Sequence, residues 1–343
     1  YTLTGTEYTS IIDDSLHGKR WVRYTVVMKS CKDLTETPTL NSLKLKVRWN
    51  VNSHLTKDIL SLQMKAVLNT KGISVANTSQ ASIFSSLSDD IIVNNVVLSE
   101  SKLSSISELN ASPTYSSILQ LNKIKTVYSG EIYIKIKIDP GFDFNSDIIN
   151  YLSNENHLIK GIIFDFIKYD KSKSHVVQKF LNNNPSIISI TDNFIASGNI
   201  SISEYEKLDP NFTEIIIDKF PLTDIDCIAS NPEINESVKV LTTVLSKPDS
   251  DRIILDTGQK AINIDYGFPK VKNIQSATIN SLSAEHTNVG LNEKDQSALS
   301  IGDKVELIPS DISSIMNQFN FLSVIKDDKL ISTYEITARG AYK

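Results

Sequence analysis

Val47-Arg48-Trp49-Asn50-Val51-Asn52-Ser53-His54 is the stretch that decides how this chain is read. It continues a β-prone run that begins at Leu43 and ends in polar side chains. Outward from it, short apolar strands alternate with stretches of helical spacing. Tyr24 to Val27, Leu43 to Val51, Ile73 to Ala76, Asp90 to Val93, Ile132 to Ile138, Gly161 to Phe166, Ile187 to Ile190 and Glu214 to Ile217 all read as strands. Thr56 to Ala66 is helical in spacing, with Ile59, Leu62 and Ala66 on one face behind a threonine cap. Ser79 to Leu87 reads as a short helix, and Ser99 to Ser117 as an exposed one, striped by Leu103, Ile106 and Leu109. The alternation predicts an α/β protein built on a TIM (β/α)8 barrel.

From about Val238 the pattern changes. Val238 to Leu245, Arg252 to Leu255, Lys304 to Leu307, Phe321 to Ile325 and Leu330 to Ile336 are strand-like runs separated by turns, so a β-rich C-terminal domain follows. The expected organisation is an N-terminal segment over 1–22, a barrel over 23–236 and the β-rich domain over 237–343.

The 343 residues are 40% hydrophobic and 22% charged, an ordinary globular balance with ample material for a core. The net charge of −5 offers no global basic field, so nucleic acid is not an expected partner. No apolar run approaches the roughly 20 residues of a membrane-spanning helix. The chain starts at Tyr1 without an initiator methionine or a recognisable targeting segment, as a cleaved presequence or an omitted start would leave it. Cys31 and Cys227 make no disulfide framework, which points to a reducing intracellular compartment, the cytoplasm or the mitochondrion. Asn-x-Ser/Thr sequons begin at Asn77, Asn110, Asn199, Asn211 and Asn235, about the chance number in so asparagine- and serine-rich a chain. Only 12 glycines occur, which leaves few places for backbone to cradle a cofactor phosphate.

Several ordered stretches resemble one family. Arg48, Val51, Ser53 and His54 are similar to the end of a barrel strand that reads Arg-Pro-His-Val-Lys-Thr-His in the eukaryotic D-serine dehydratase and D-threonine aldolase family of fold-type III pyridoxal-phosphate enzymes. Asn211 to Glu214 with Phe220, Pro221 and Asp224 resembles a middle segment of that family, and Leu255-Asp256-Thr257-Gly258 resembles its Val-Asp-Ala-Gly. Ser283 to His286, Ile301 to Pro309 and Ala338-Arg339-Gly340 follow in the family's order. The resemblance implies an alanine-racemase-like barrel with a β-domain, pyridoxal phosphate on a lysine, and a catalytic zinc.

The same alignment replaces the site residues. The lysine position is Asn52, and a carboxamide nitrogen cannot form the Schiff base that a primary amine forms. The zinc pair becomes Asp311 and Ser313, and a neutral hydroxyl is a poor zinc ligand, so Asp311 is expected to be a solvated turn aspartate. The phosphate turns align with Thr191 and Asp192 and with Asp218, Lys219 and Phe220, setting carboxylates beside a dianion. A histidine-bearing segment becomes Phe164 to Lys168. Lys44 and Lys46 lie close to Asn52, but sliding the alignment to either misplaces Arg48 and His54 and restores neither zinc nor phosphate contacts.

His54 is expected to pack or hydrogen-bond at the barrel mouth, and His286, beside Glu285, to make an interdomain hydrogen bond. Trp49 is expected to plug the former cofactor pocket, or else to anchor a protein contact. His17, His157 and His175 are scattered, and no P-loop, dinucleotide fingerprint, His-Glu-x-x-His, Cys-x-x-Cys or Gly-x-Ser-x-Gly elbow occurs. The expectation is a pseudoenzyme without cofactor or metal, kept as a structural or protein-interaction subunit in a homodimer or hetero-complex. The alternatives are an active pyridoxal-phosphate-dependent lyase with an atypical site and a small-molecule sensor.

Overall fold

The computed structural model describes residues 23–24, 45–51, 56–66, 70–138, 159–166, 171–198, 200, 204, 208, 210–218, 222–230 and 235–342. Asn52, His54, Lys219 and Phe220 lie outside the described residues, as do Thr25 to Val27.

The first strand, β1 (Arg23–Tyr24), is not part of the barrel. The barrel closes from β2 (Lys46–Asn50), β3 (Thr70–Val75), β4 (Ile91–Val93), β5 (Ala111–Tyr115), β6 (Ile132–Ile138), β7 (Ile159–Phe166), β8 (Phe194–Gly198) and β9 (Glu214–Ile217), with β9 pairing back onto β2 and every neighbour parallel. Between the strands run α1 (Lys57–Ala66), α2 (Thr78–Phe84), α3 (Glu100–Glu108), α4 (Ile118–Ile124), α5 (Lys171–Asn183) and α6 (Pro185–Ile190). Asn77 and Ser117 start α2 and α4 by accepting the amide hydrogens of Gln80 and Gln120.

Strand register identifies the barrel interior. Ile92, Tyr133, Ile163, Ile195 and Ile216, one from each of five strands, form a buried cluster. Residues opposite one another share a face, so Arg48 (opposite Ile216), Ser74 (opposite Ile92), Lys135 (opposite Ile163) and Glu214 (opposite Ile195) point inward as well. Trp49 alternates with Arg48 and faces out. It is 1% exposed, and its Nε1 donates to Thr70 Oγ1 at 3.4 Å, while Thr70 Oγ1 donates to the Met64 carbonyl of α1. The expected plug of the barrel mouth is therefore a buried outer-layer residue, and it is no contact anchor either.

Two sequence expectations for the barrel are corrected. Ile187 to Ile190 is not a strand but the end of α6, which Pro185 opens at its first turn. The strand comes after it, at Phe194–Gly198. Ser99 to Ser117 is not one exposed helix. It breaks at Asn110, whose φ of 51° is a left-handed conformation that asparagine tolerates, and Ala111–Tyr115 is then a wholly buried barrel strand.

The chain forms two compact units that part between Asp218 and Lys219, and β1 groups with the C-terminal unit. Residues 222–230 join the C-terminal unit through Thr223 N, which donates to Ser237 Oγ at 2.8 Å, and Ile225 N, which donates to the Pro309 carbonyl at 3.0 Å.

That unit contains a six-stranded sheet of antiparallel neighbours: β10 (Val240–Asp249), β11 (Arg252–Leu255), β12 (Lys270–Val271), β13 (Thr278–Leu282), β14 (Thr287–Gly290) and β15 (Lys304–Ile308), in the order β12-β15-β10-β11-β14-β13. Val244, Ile253, Leu255, Val289 and Leu307 form its core. A second sheet has the order β1-β16-β17, with β16 (Phe321–Lys326) and β17 (Lys329–Glu335) joined through Asp327 and Asp328, both at positive φ. Short helices α7 (Ile225–Ser230), α8 (Glu293–Ser297) and α9 (Ile312–Met316) complete it.

Two of the motifs meet here. Gln259 N and Lys260 N donate to the carbonyls of Ser283 and Ala284, and Thr287 Oγ1 donates to the Thr257 carbonyl. A Cβ on Gly258 would lie 2.5 Å from the Ser283 carbonyl oxygen and the Glu285 and His286 nitrogens. Because all three are backbone atoms, Gly258→Ala is expected to cost about 1–3 kcal/mol, the range for overpacking. A urea midpoint equal to that of the wild type would show that the turn yields freely.

Candidate functional site

Among the described residues Arg48 is the most heavily bonded side chain in the barrel. Glu214 opens β9, and its carboxylate receives Arg48 Nε directly and Nη2 at 3.4 Å. Arg48 Nη2 also pairs with Asp90 at 3.2 Å, and Nη1 donates to the carbonyls of Ile73 (3.2 Å) and Asp90 (2.9 Å). Asp90 in turn holds Lys71 at 3.1 Å and Lys160 at 3.3 Å. Lys160 Nζ lies 5.9 Å above the Tyr133 ring. A cavity of about 230 Å3, lined by Lys46, Lys71, Tyr133, Lys160, Asp192 and Glu214 among others, opens beside this network.

These residues begin strands or precede them, so the network occupies the amino end of the barrel. Barrel enzymes place chemistry at the carboxyl end, and the amino end serves stability. Burial pushes the Asp90 carboxyl up, but Arg48 and then Lys160 overrule it and hold it at about 2. Burial keeps the Tyr133 hydroxyl protonated, well above the ordinary phenol range. Because the folded pKa of Asp90 lies below its unfolded value, its contribution is full above about pH 4 and is lost as pH falls toward 2. With Asp90 only 15% exposed, the wild type is expected to lose up to about 2 kcal/mol more than Asp90→Asn over that window. Parallel urea titrations of the two proteins between pH 5 and 2 should diverge by that amount; superimposable pH profiles would exclude the effect.

The structure separates the two expected phosphate turns. Thr191 and Asp192 precede β8 at the amino end, where Thr191 Oγ1 donates to the Lys160 carbonyl at 3.4 Å and Asp192 lines the cavity. Asp218 follows β9 at the carboxyl end. In a closed parallel barrel the two ends lie a strand's length apart, so Thr191 and Asp192 do not form one turn with Asp218. Reading Ile187 to Ile190 as the strand had moved the turn one element too early. The glycine at the carboxyl end of β8 is Gly198, with φ 102°, where an added Cβ would collide with the Phe166 carbonyl. The signal for it was present in Ala196-Ser197-Gly198 after the apolar Phe194 and Ile195.

Toward the carboxyl end the barrel interior turns polar. Asn94 Nδ2 donates to Ser74 Oγ, and the Thr114 hydroxyl is buried without a hydrogen-bond partner. Lys135 pairs with Asp165 at 3.1 Å, and each is about a quarter exposed. Phe164 and Phe166 face outward instead. Phe164 stacks edge-on against Phe180 and Phe212, with ring centroids 5.7 and 5.8 Å away.

In the C-terminal unit Asp311 is not a solvated turn residue. It is 8% exposed and caps α9, accepting the Ser314 amide hydrogen at 2.9 Å. Ser313 lies within α9. Asp224, fully buried, accepts from Cys227 N at 3.0 Å and Ile312 N at 3.3 Å. His286 is exposed on the turn between β13 and β14, where its amide donates to Ser283 Oγ. Its neighbour Glu285 pairs with Lys260. Among the described residues no three His, Cys, Asp or Glu side chains converge as a metal would need. One capping carboxylate and one neutral hydroxyl do not fit zinc. For pyridoxal phosphate, the guanidinium of Arg48 is already committed to protein acceptors, and position 52 carries no amine.

One further buried cation gave no sequence signal. Lys239 is 3% exposed beside Lys272, Glu236 and Glu306, and burial, with Lys272 adjacent, lowers it to about 8.

Comparison with known proteins shows what the chain is similar to. Residues 237–325 match the family described as a putative serine dehydratase domain. A D-threonine aldolase from an Arthrobacter species is 29% identical over 150 residues, which span 43% of this chain and 39% of that enzyme's length. The crystal structure of D-threonine aldolase from Filomicrobium marinum superposes with a TM-score of 0.73 at 18% identity, covering 88% of this chain and 89% of that one. Alanine racemase of Clostridium difficile superposes at 0.56 with 10% identity, covering 85% and 92%. At those identities the structural likenesses establish the fold, an alanine-racemase-like barrel with a β-domain. The chain thus has the fold of these proteins, and the sequence of its C-terminal domain is similar to the putative serine dehydratase domain family.

Proposed function

We propose that this chain is a non-catalytic member of its family, kept as a structural or protein-interaction subunit. The observation that carries the reading is Asn52 at the position of the family's cofactor lysine. The helix-capping Asp311 and the neutral Ser313 support it, since neither is available as a strong metal donor. A fold without its inherited chemistry is held by selection on stability and surface, and the Arg48–Glu214–Asp90 network is a stability feature of that kind.

The test is direct. The protein purified with added pyridoxal phosphate and zinc, then dialysed, is expected to show no visible aldimine absorbance, no borohydride-fixed pyridoxyl mass on a lysine inside the barrel, and less than a tenth of an equivalent of zinc. A stoichiometric adduct or stoichiometric zinc overturns the reading. One observation favours an active lyase with an atypical site. Lys135 is a primary amine on the barrel's inward face with Asp165 as a carboxylate partner, so peptide mapping of any adduct should look there first.

A further inference from the structure

We propose that the cavity at the amino end of the barrel binds a small monovalent oxyanion, a carboxylate or a monobasic phosphate, with the Tyr133 hydroxyl as hydrogen-bond donor. Tyr133 is 0% exposed and lines the cavity, and its hydroxyl is buried without a hydrogen-bond partner among the described residues. A buried donor left unmet is costly. Burial holds the phenol protonated, so what satisfies it is an acceptor. The ring is seated against Gly161, its register partner on β7, so closely that a Cβ there would lie 2.9 Å from Cε1 of the ring. The hydroxyl is thus held beside the cavity with no protein acceptor in reach.

Charge decides what the acceptor is. Lys46, Lys71 and Lys160 line the cavity beside Arg48, and Glu214, Asp192 and Asp90 are the carboxylates among them. Four cations stand against three carboxylates, which leaves one positive charge uncompensated. Glu131, which is not part of the cavity wall, reaches Lys160 at 3.5 Å, but it is 54% exposed and screened by water. Asp90 is already shared by Arg48, Lys71 and Lys160, and Lys46 makes no ion pair among the described residues. A water molecule would meet the hydroxyl and leave the charge; a monoanion meets both, through a charge-assisted hydrogen bond. A volume of about 230 Å3 lies below the roughly 300–1,000 Å3 of sites for drug-sized ligands, so the occupant is an ion of a few heavy atoms. Its role is structural, because an ion held only by the folded chain stabilises that chain.

Thermal unfolding of the full chain at fixed ionic strength, with chloride replaced stepwise by formate, acetate or phosphate, tests this. A melting temperature that rises saturably is expected, with one anion bound per chain by calorimetry. The arm that responds separates a carboxylate from a phosphate source. Lys46→Met should weaken the binding about tenfold by removing one charged partner. Tyr133→Phe should weaken it by a similar factor, yet in chloride alone it should be at least as stable as the wild type, because it deletes an unmet hydroxyl and keeps the ring. No saturable response to any of the three anions overturns the proposal. So does binding that Lys46→Met leaves unchanged, which would place the anion elsewhere. A Tyr133→Phe variant less stable in chloride alone also overturns it, since the hydroxyl would then have a protein partner. The residues tested lie at the amino end, so these outcomes are independent of whether the barrel retains chemistry.

Discussion

Glu214→Ala is expected to cost about 3–5 kcal/mol, because it strands a buried cation. Arg48 is 0% exposed, and Glu214 receives two of its donors. Asp90 remains as a partner, but it already balances Lys71 and Lys160. Burial works against the Arg48 charge, and Glu214 is the largest influence that restores it. The loss should appear as a matching drop in unfolding free energy from urea titration. The informative control is the double variant Arg48→Met with Glu214→Leu, which removes both charges together. It should recover most of the loss, since a buried ion pair is often no more stabilising than apolar groups of similar size. A single variant that loses less than 1 kcal/mol would mean that water or Asp90 takes over the guanidinium, and the network would lose its structural role.

Phe164→Ala should be comparably damaging, at about 3–5 kcal/mol, for a different reason. Phe164 is fully buried at the centre of an aromatic group comprising Phe180, Phe194 and Phe212, where it joins β7 to α5. Removing the ring leaves a cavity that several rigid neighbours cannot fill by small shifts. Phe164→Leu keeps most of the volume and should keep most of the stability. If the alanine and leucine variants melt together, the cavity explanation is wrong. Neither substitution touches the inward face, so any change in ligand binding by these variants would be indirect.

Legibility in the sequence followed how local each feature is. The alternation of Ile132 to Ile138 and the apolar run of Glu214 to Ile217 are strands by pattern alone, and they are strands in the structure. Ile187 to Ile190 shows the limit, because four apolar residues fit a buried strand and a helix turn equally well. Pro185, a helix-opening residue, was the signal that separated them. Ala111–Tyr115 failed for the opposite reason. Ala-Ser-Pro-Thr-Tyr lacks a run of branched apolar residues, and the closed barrel makes it a strand by supplying hydrogen-bonding neighbours on both sides. The Arg48–Glu214 pair was hidden by its separation of 166 positions, although both residues stood in motifs already recognisable one at a time. The turn at Asp311 was legible as a change of residue type, but its capping role depends on where α9 begins.

The pairing of β1 with β16 has a consequence for how the chain comes to be folded. Arg23 and Tyr24 lie beside Ser323 and Val324, so the second residue of each pair is synthesised about 300 positions after the first. During synthesis, the early strand must wait unpaired while the whole barrel emerges, and contacts so distant in sequence form slowly. The barrel strands, each paired with the next in sequence, have their partners far sooner. Assembly should therefore run in two beats: an early barrel, then a late zipping of the small sheet once β16 has left the ribosome. In the interval both the β1 segment and the free side of β16 are open to wrong partners, which makes this the step at which a chaperone or a second nascent chain would have most to act on.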